Sequence, residues 1–517
     1  MTKIKTLDLF GRKTLYASVD EEDLTPQVIA SILKDVLPVH KKNVSQIRYL
    51  REVAKGNQEV YHRKKEVRPE INNKVVENHI GHAISFKKGY VFGYPIQYVQ
   101  MSDDKNNLPP NQPDTLNKGF DSDLSKDLGI INQIMRSNNK ASKDIELSND
   151  LYITGVGVRY FVARPRENTF DFYNLDPENA FVVYSNGFDK KRLFGVYMVK
   201  KTDYLKGEEV LEFKVFTNKK IYNYTLGGHD YLSFQTGRNV DKIEAPMYVE
   251  KEPISEVNAL GYIPIVEYQL NSDRISLVER MLGSQNALNE LTSSEVDDVQ
   301  QFVQAMMVFL NAEIDEETLT LAKELGAINI MNNGKQQGDV KLLTSKLSHN
   351  EAKVLHDRIL HNMLINAGIP LINVGGGGGG DTGLARLTDN GWLMADTKAR
   401  EDELAFVEGE RVFLEIVIDY LSKRNVISKF DVHNIETKFT RHKSDNLLTK
   451  TQALQSMVGV IHPDDAFAIV DLFSDPSEAV AKARDFYGDK FFEQKGKENV
   501  SQDEVIQPDG SNEPEEE

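Results

Sequence analysis

Gly375-Gly376-Gly377-Gly378-Gly379-Gly380-Asp381-Thr382 is the stretch on which the reading of this 517-residue chain turns. It lies between an apolar turn, Gly368-Ile369-Pro370-Leu371-Ile372, and a helical pattern that begins near Gly383. A glycine-rich loop opening a helix can cradle phosphate, because bare N–H groups meet the positive end of the helix dipole. The same loop can instead be a pliable flap, shaped by whatever passes close to it. A phosphate-binding P-loop needs G-x-x-x-x-G followed by Lys and then Ser or Thr. Gly375 and Gly380 have that separation and Thr382 supplies a hydroxyl, but the lysine position holds Asp381. A carboxylate there repels phosphate where the chemistry needs a cation, and Pro370 makes the preceding segment a poor strand. The nucleotide-site reading loses most of its ground, and a flap or a plain flexible linker remains.

Composition narrows the classes around that loop. The length suggests about three domains, and 40% hydrophobic residues support sizeable cores. The 27% charged and 9% aromatic residues are ordinary for a soluble chain. With no cysteine, disulfides, thiolate metal sites and cysteine nucleophiles are excluded. Met1-Thr2-Lys3-Ile4-Lys5 leads to no apolar run of signal-peptide type. No run approaches the ~20 apolar residues that span a bilayer, so an interior location is expected. The net charge of −17 argues against a tight grip on nucleic-acid phosphates. It leaves room for a local basic patch, or for an acidic wall along which DNA slides without sticking. Part of the excess comes from residues 495–517, with eight acidic and two basic residues, a stretch too polar to order itself.

Along the chain, residues 20–61 read as helical, with Val28, Ile32, Leu33, Val44, Ile47 and Leu50 at helix-like spacing. The basic knot His62-Arg63-Lys64-Lys65-Glu66-Val67-Arg68 ends at Pro69. Asn72 opens a second predicted helix, running to about Phe86, and the segment Gly89–Tyr98 turns into a strand. Residues 102–118 form a Pro/Asn/Asp-rich loop. From Leu151 to about Tyr268, short β-rich runs separated by turn signals predict a meandering antiparallel sheet. A long helix follows from Arg274 to Phe302. Residues 303–347 hold mixed short elements, with strands at Met306–Leu310, Ile328–Met331 and Val340–Thr344 around a helix from Glu316 to Leu325. Another helix runs from His349 to about Asn366. Beyond the glycines, 383–424 is mostly helical, with Leu404, Val407, Leu414, Ile418 and Leu421 on one stripe. Residues 425–444 are extended, and 445–488 form short helices.

No catalytic constellation emerges. His79 and His82, or His356 and His361, lack the H-E-x-x-H arrangement and a third ligand. Asp297-Asp298 and Asp103-Asp104 lack calcium-loop spacing and read as solvated faces. No G-x-S-x-G elbow occurs. The expectation is no catalytic residue, no metal and no cofactor. The basic knot at 62–68 can touch phosphate or an acidic partner, or simply close a helix end. His349, Lys353 and His356 share one helix face, and would offer weak positive contacts if that face lined a channel.

Several of these segments, in this order, resemble the portal proteins of tailed bacteriophages, specifically of siphophages infecting Gram-positive bacteria. They are Arg63-Lys64-Lys65-Glu66-Val67-Arg68-Pro69 with Asn72-Asn73-Lys74, and Phe86-Lys87-Lys88-Gly89-Tyr90 running to Gly93-Tyr94-Pro95-Ile96-Gln97-Tyr98. Ile263-Pro264-Ile265 before the long acidic helix, Phe439-Thr440-Arg441 and Ser474-Asp475-Pro476 complete the set, which covers most of residues 40–490. The resemblance implies a predominantly helical α+β portal fold of wing, stem, clip and crown, assembling as a homo-dodecameric ring. Residues 1–272, β-rich over 151–272, and the helix 383–424 would form the wing. Stem helices would be 273–302 and 348–372, around a clip at 303–347. Residues 373–382 would be the tunnel loop, 425–490 the crown and 491–517 a disordered acidic tail.

The resemblance also implies function. Double-stranded DNA would pass the channel during packaging and ejection, contacted non-specifically by Gly375, Gly376, Gly377, Gly378, Gly379, Gly380 and Asp381. His349, Lys353 and His356 would be candidates for the stem's channel face. Implied partners are further copies of the chain, the terminase large subunit, major capsid and scaffolding proteins, and the head-completion adaptor, with no membrane. The implied location is the portal vertex of the virion capsid, with the host cytoplasm during assembly. The segment after the loop, Asp381-Thr382-Gly383-Leu384-Ala385-Arg386-Leu387, departs from the family's usual pattern, so a residue-specific loop–DNA lock is not expected. A nucleotide-binding enzyme, or another ring-forming virion or scaffold protein, is the alternative. Trp392, the lone tryptophan, is expected to be a packing anchor.

Overall fold

The structure, a computed structural model, describes residues 10–66, 68–101, 122–203, 208–227, 253–303, 306–310, 339–343, 349–370, 391–441, 447–457, 461, 466–467, 470 and 476–487. In chain order the strands and α-helices are β1 (Leu15–Ala17), α1 (Pro26–Ala54), α2 (His79–Phe92), β2 (Gln97–Gln100), α3 (Ser122–Ser137), α4 (Lys140–Thr154), β3 (Val156–Arg164), β4 (Thr169–Leu175) and β5 (Ala180–Ser185). They continue with β6 (Arg192–Asp203), β7 (Glu208–Phe216), β8 (Lys220–Gly227), β9 (Ile254–Val257), β10 (Ile265–Gln269) and α5 (Leu277–Val303). The remainder are β11 (Met306–Leu310), β12 (Asp339–Leu343), α6 (His349–Ala367), α7 (Trp392–Lys423), β13 (Ile435–Lys438), α8 (Leu447–Met457) and α9 (Pro476–Tyr487).

Helix α1 starts where Thr25 accepts the Val28 N–H at 3.3 Å and Pro26 occupies the first turn, since proline's missing donor has no helical partner there anyway. Its apolar face, Ile29, Leu33 and Val36, packs on a six-stranded sheet of order β1-β5-β6-β7-β8-β9. The sheet is an antiparallel meander from β5 to β9, and β1 adds in parallel at β5. A second sheet, β10-β3-β4, carries Phe161, Phe170 and Phe172 into the main core. Helix α7 supplies Phe406, Phe413, Val417 and Leu421 to the same core. Close crossing of α7 over β10 requires Gly409, where a Cβ would stand 2.6 Å from the Tyr268 ring.

The β-rich run and the long helices agree with the sequence pattern, and four particulars differ. Asn72–Asn78 is not helical; the helix begins at His79, with the Asn78 side chain accepting the Gly81 N–H at 3.1 Å. Upstream, the N–H groups of Asn73, Val75 and Glu77 bond to side chains of α5 rather than to helical carbonyls. Helix α2 continues through Gly89 to Phe92. Residues 151–154 close helix α4 rather than open the β-region, because Gly155 at φ +80° turns the chain and returns its N–H to Leu151 O at 2.8 Å. Leu404, placed on the apolar stripe of α7, is 70% exposed, whereas Leu414, Ile418 and Leu421 of that stripe are buried and Phe406 and Phe413 join them in the core.

Helices α3 and α4 had no expectation in the sequence, although Leu124, Leu128, Ile131 and Met135 of α3 recur at helical spacing and are buried. The β11–β12 pair and the extended 435–438 segment, paired with β2, match the expected elements. The expected helix Glu316–Leu325, strand Ile328–Met331, the 102–118 loop, Gly375–Asp381 and the acidic tail lie outside the described residues.

Candidate functional site

Four polar residues of α5, Gln285, Asn289, Ser293 and Asp297, follow one another at intervals of four and so share one helix face. By pattern this is a solvated face, yet all four are buried. What covers them is the extended strap Asn72–Asn78. Asp297 accepts the Asn73 N–H at 2.7 Å and its side-chain amide at 2.9 Å. Ser293 accepts the Val75 N–H at 3.0 Å, and Asn289 the Glu77 N–H at 3.1 Å. Gln285 donates to the Glu77 carbonyl, and Asn289 to Gln58. The strap is thus laid along α5 with a side-chain partner at every second residue, which is the repeat of an extended chain matched to three turns of helix.

Asp297 also gathers the basic knot. Arg63 Nη1 and Lys65 Nζ each lie 2.9 Å from Asp297 Oδ2, while Arg63 Nε pairs with Glu290 at 2.8 Å. Burial pushes the Asp297 carboxyl up, but the hydrogen bonds from Asn73 and Lys65 outweigh it and hold its pKa below the ordinary value. The reading of Asp297 as solvated is therefore corrected. Arg63 and Lys65 are engaged within the chain, while His62 and Lys64 are exposed.

Glu77 forms a second node, where α2, α5 and α6 meet. Its Oε2 lies 2.8 Å from His79 Nε2 and 3.2 Å from His356 Nε2, and its Oε1 accepts from Thr292 at 3.1 Å. Burial would raise the Glu77 carboxyl, but these three contacts bring it below its ordinary value. His356 thus faces the strap, Lys353 on the same helix is exposed, and the His349 side chain falls outside the described residues. Among the described residues no group of three or more His, Asp or Glu is placed to hold a metal ion.

Two further polar centres hold the elements behind this joint. Arg159 of β3 is wholly buried between Asp144 of α4 (2.6 Å) and Glu410 of α7 (3.3 Å), and its guanidinium lies over the Phe172, Tyr268 and Phe413 rings. Lys140 reaches the same two carboxylates, and Tyr98 and Tyr268 donate to Glu410. Two cations meet two anions, so the cluster is neutral overall. Burial pushes Glu410 up, and Lys140 and Arg159 more than reverse it. Sequence reasoning missed this cluster. Its one signal was a pair of charges, Arg159 and Glu410, standing where the strand and helix patterns call for apolar side chains.

The other centre explains Phe439-Thr440-Arg441. Phe439 packs edge-on against Phe92 and Phe406, and Arg441 binds Asp396 and, at 3.0 Å, Glu403 of α7. Burial raises the Glu403 carboxyl to about 7 despite Arg441. Trp392, half-buried at the start of α7, packs against Phe86 and Tyr90. These arrangements bind elements to one another; none assembles a nucleophile, a base and an oxyanion site.

A family model described as "Phage portal protein, SPP1 Gp6-like" matches residues 33–485 of the chain. The chain is also similar to the portal protein of Bacillus phage SPP1. The two are 22% identical over 427 residues, covering 80% of this chain and 76% of that protein.

Proposed function

Because the chain belongs to the phage portal family described as SPP1 Gp6-like, we propose that it forms a homo-dodecameric ring at one capsid vertex. Double-stranded DNA is packaged and later ejected through the channel of that ring. The family is a structural one, and the chain acts as a conduit and docking platform with no chemistry of its own. Wing is assigned to 1–272 and 383–424, stem to 273–302 and 348–372, clip to 303–347, tunnel loop to 373–382 and crown to 425–490. The clip would dock the terminase motor during packaging and the head-completion adaptor afterwards, and capsid and scaffolding proteins would surround the wing.

The observation that carries the reading is the span of the family match, 33–485, within which lie the segments proposed here as stem, clip and tunnel loop. The strap joint supports it physically. A helix of 27 residues, about 40 Å long, is fastened to the N-terminal region by buried hydrogen bonds along three of its turns. Such a rod can bear load between a ring's outer body and its axis. The six glycines and Asp381 then serve as a yielding lip around passing DNA, in contact with phosphates without regard to sequence.

Electron microscopy of the purified protein tests this: rings with an open central channel are expected, and monomers or dimers under every salt condition would overturn it. ATP at millimolar concentration should leave the melting temperature unchanged, since nothing that binds only the folded state escapes mass action. A rise would favour the nucleotide-enzyme reading. With a net charge of −17, binding to linear DNA at physiological salt should be weak and fall further as salt rises.

A further inference from the structure

A small cavity of about 20 Å³ lies where the N-terminal segment, α1, β5, β10 and the turn before α5 converge. Its wall includes Arg12, His40, Asn43, Ala180, Glu267 and Arg274. All six are buried. The Arg274 side chain is only 4% exposed and pairs through Nη1 with Glu267 Oε1 at 2.7 Å. Its Nε and Nη2 are buried with no hydrogen-bond partner in the protein. The residue cannot easily swing away, because its backbone is held at φ +56° inside a turn closed by Asn271. Unpaired guanidinium donors at such depth are rare in folded proteins, and ordered water is their usual partner.

We infer that this cavity binds one ordered water molecule, which accepts a hydrogen bond from the Arg274 guanidinium and donates one to the Glu267 carboxylate. The volume admits one water, for which about 10–15 Å³ suffices. Glu267 accepts from Arg274, from the Tyr184 hydroxyl at 3.4 Å and from the Val182 N–H. A carboxylate offers about four acceptor positions, so it retains room for a fourth donor. A dry cavity is disfavoured, since cavities that stay empty are lined by apolar groups. An anion is disfavoured by charge balance. Arg274 is matched by Glu267 and Arg12 by Glu279, and burial lowers the His40 pKa to about 4, leaving it neutral.

Structure determination of the assembled protein, at a resolution where ordered water is visible, tests the inference. One compact density is expected within hydrogen-bond distance of Arg274 Nε or Nη2 and of the Glu267 carboxylate. An empty cavity, or a protein side chain filling it, would overturn the proposal. So would an anomalous peak at this place in a crystal grown or soaked in bromide, which would assign the site to a halide. The outcome is independent of ring formation, because the cavity lies within one chain.

Discussion

Asp297 shows how far one residue's role can lie from its pattern. Its neighbours Glu295 and Asp298 are acidic, and the run Glu-Val-Asp-Asp reads as a wet surface. In the fold it collects Arg63, Lys65 and Asn73. Removing one member of such a group leaves the others desolvated and unpaired. Asp297→Ala should therefore lower stability by about 2–3 kcal/mol in denaturant melts, and Asp297→Asn, which keeps an acceptor, by less. Glu403 makes the opposite kind of prediction. Its carboxyl titrates near 7 when folded against 4.5 ordinarily, so the folded state holds the proton more tightly. Its contribution is thus greatest below pH 4.5 and declines as pH rises to about 7. Glu403→Gln removes that slope. Relative to the parent, the variant should gain on the order of 3 kcal/mol between pH 5 and 8, read from urea melts across that range; an unchanged difference would refute the assignment.

The elements owe their ends and partners to a few side chains. Helix α5 opens with the Ser276 hydroxyl accepting the Glu279 N–H at 3.1 Å while the Glu279 carboxylate accepts the Ser276 N–H at 2.7 Å. That reciprocal pair is a capping box, legible in the sequence as Ser-x-x-Glu. Glu279 further accepts from Gly11 and Arg12, more than 260 residues away, which no local pattern announces. The polar ladder on α5 divides in the same way. Its spacing of four was visible, but its burial was not, because the strap that covers it comes from Asn72–Asn78. Ser293→Ala, mild by helix propensity, leaves the Val75 N–H without its acceptor. It should cost about 1–3 kcal/mol and raise amide exchange at Val75 selectively. Gly155→Ala should be worse than either, since the position holds φ +80° and a Cβ there would overlap the Arg274 carbonyl oxygen.

At the scale of the whole molecule the predicted tail gives the simplest test. Residues 495–517 carry eight acidic and two basic residues, a composition from which no contribution to a core is expected. Deleting them should leave the melting temperature of the protein unchanged while removing six negative charges net per chain, measurable as a shift in ion-exchange elution. The neutral cluster of Arg159, Lys140, Asp144 and Glu410 acts at the same scale by joining α4, β3 and α7. The sequence by itself determined the β-rich region, the long helices α1, α5 and α7, the Ser-x-x-Glu spacing that opens α5 and, with no cysteine, the absence of thiol chemistry. These depend on residue identity and local spacing. Tertiary structure alone decided that Asn72–Asn78 is a strap, that Asp297 and Glu410 are buried, and that the basic knot is drawn onto α5. Each of these depends on a partner distant along the chain, and a side chain's charge says nothing of whether its counter-charge will be water or another part of the same fold.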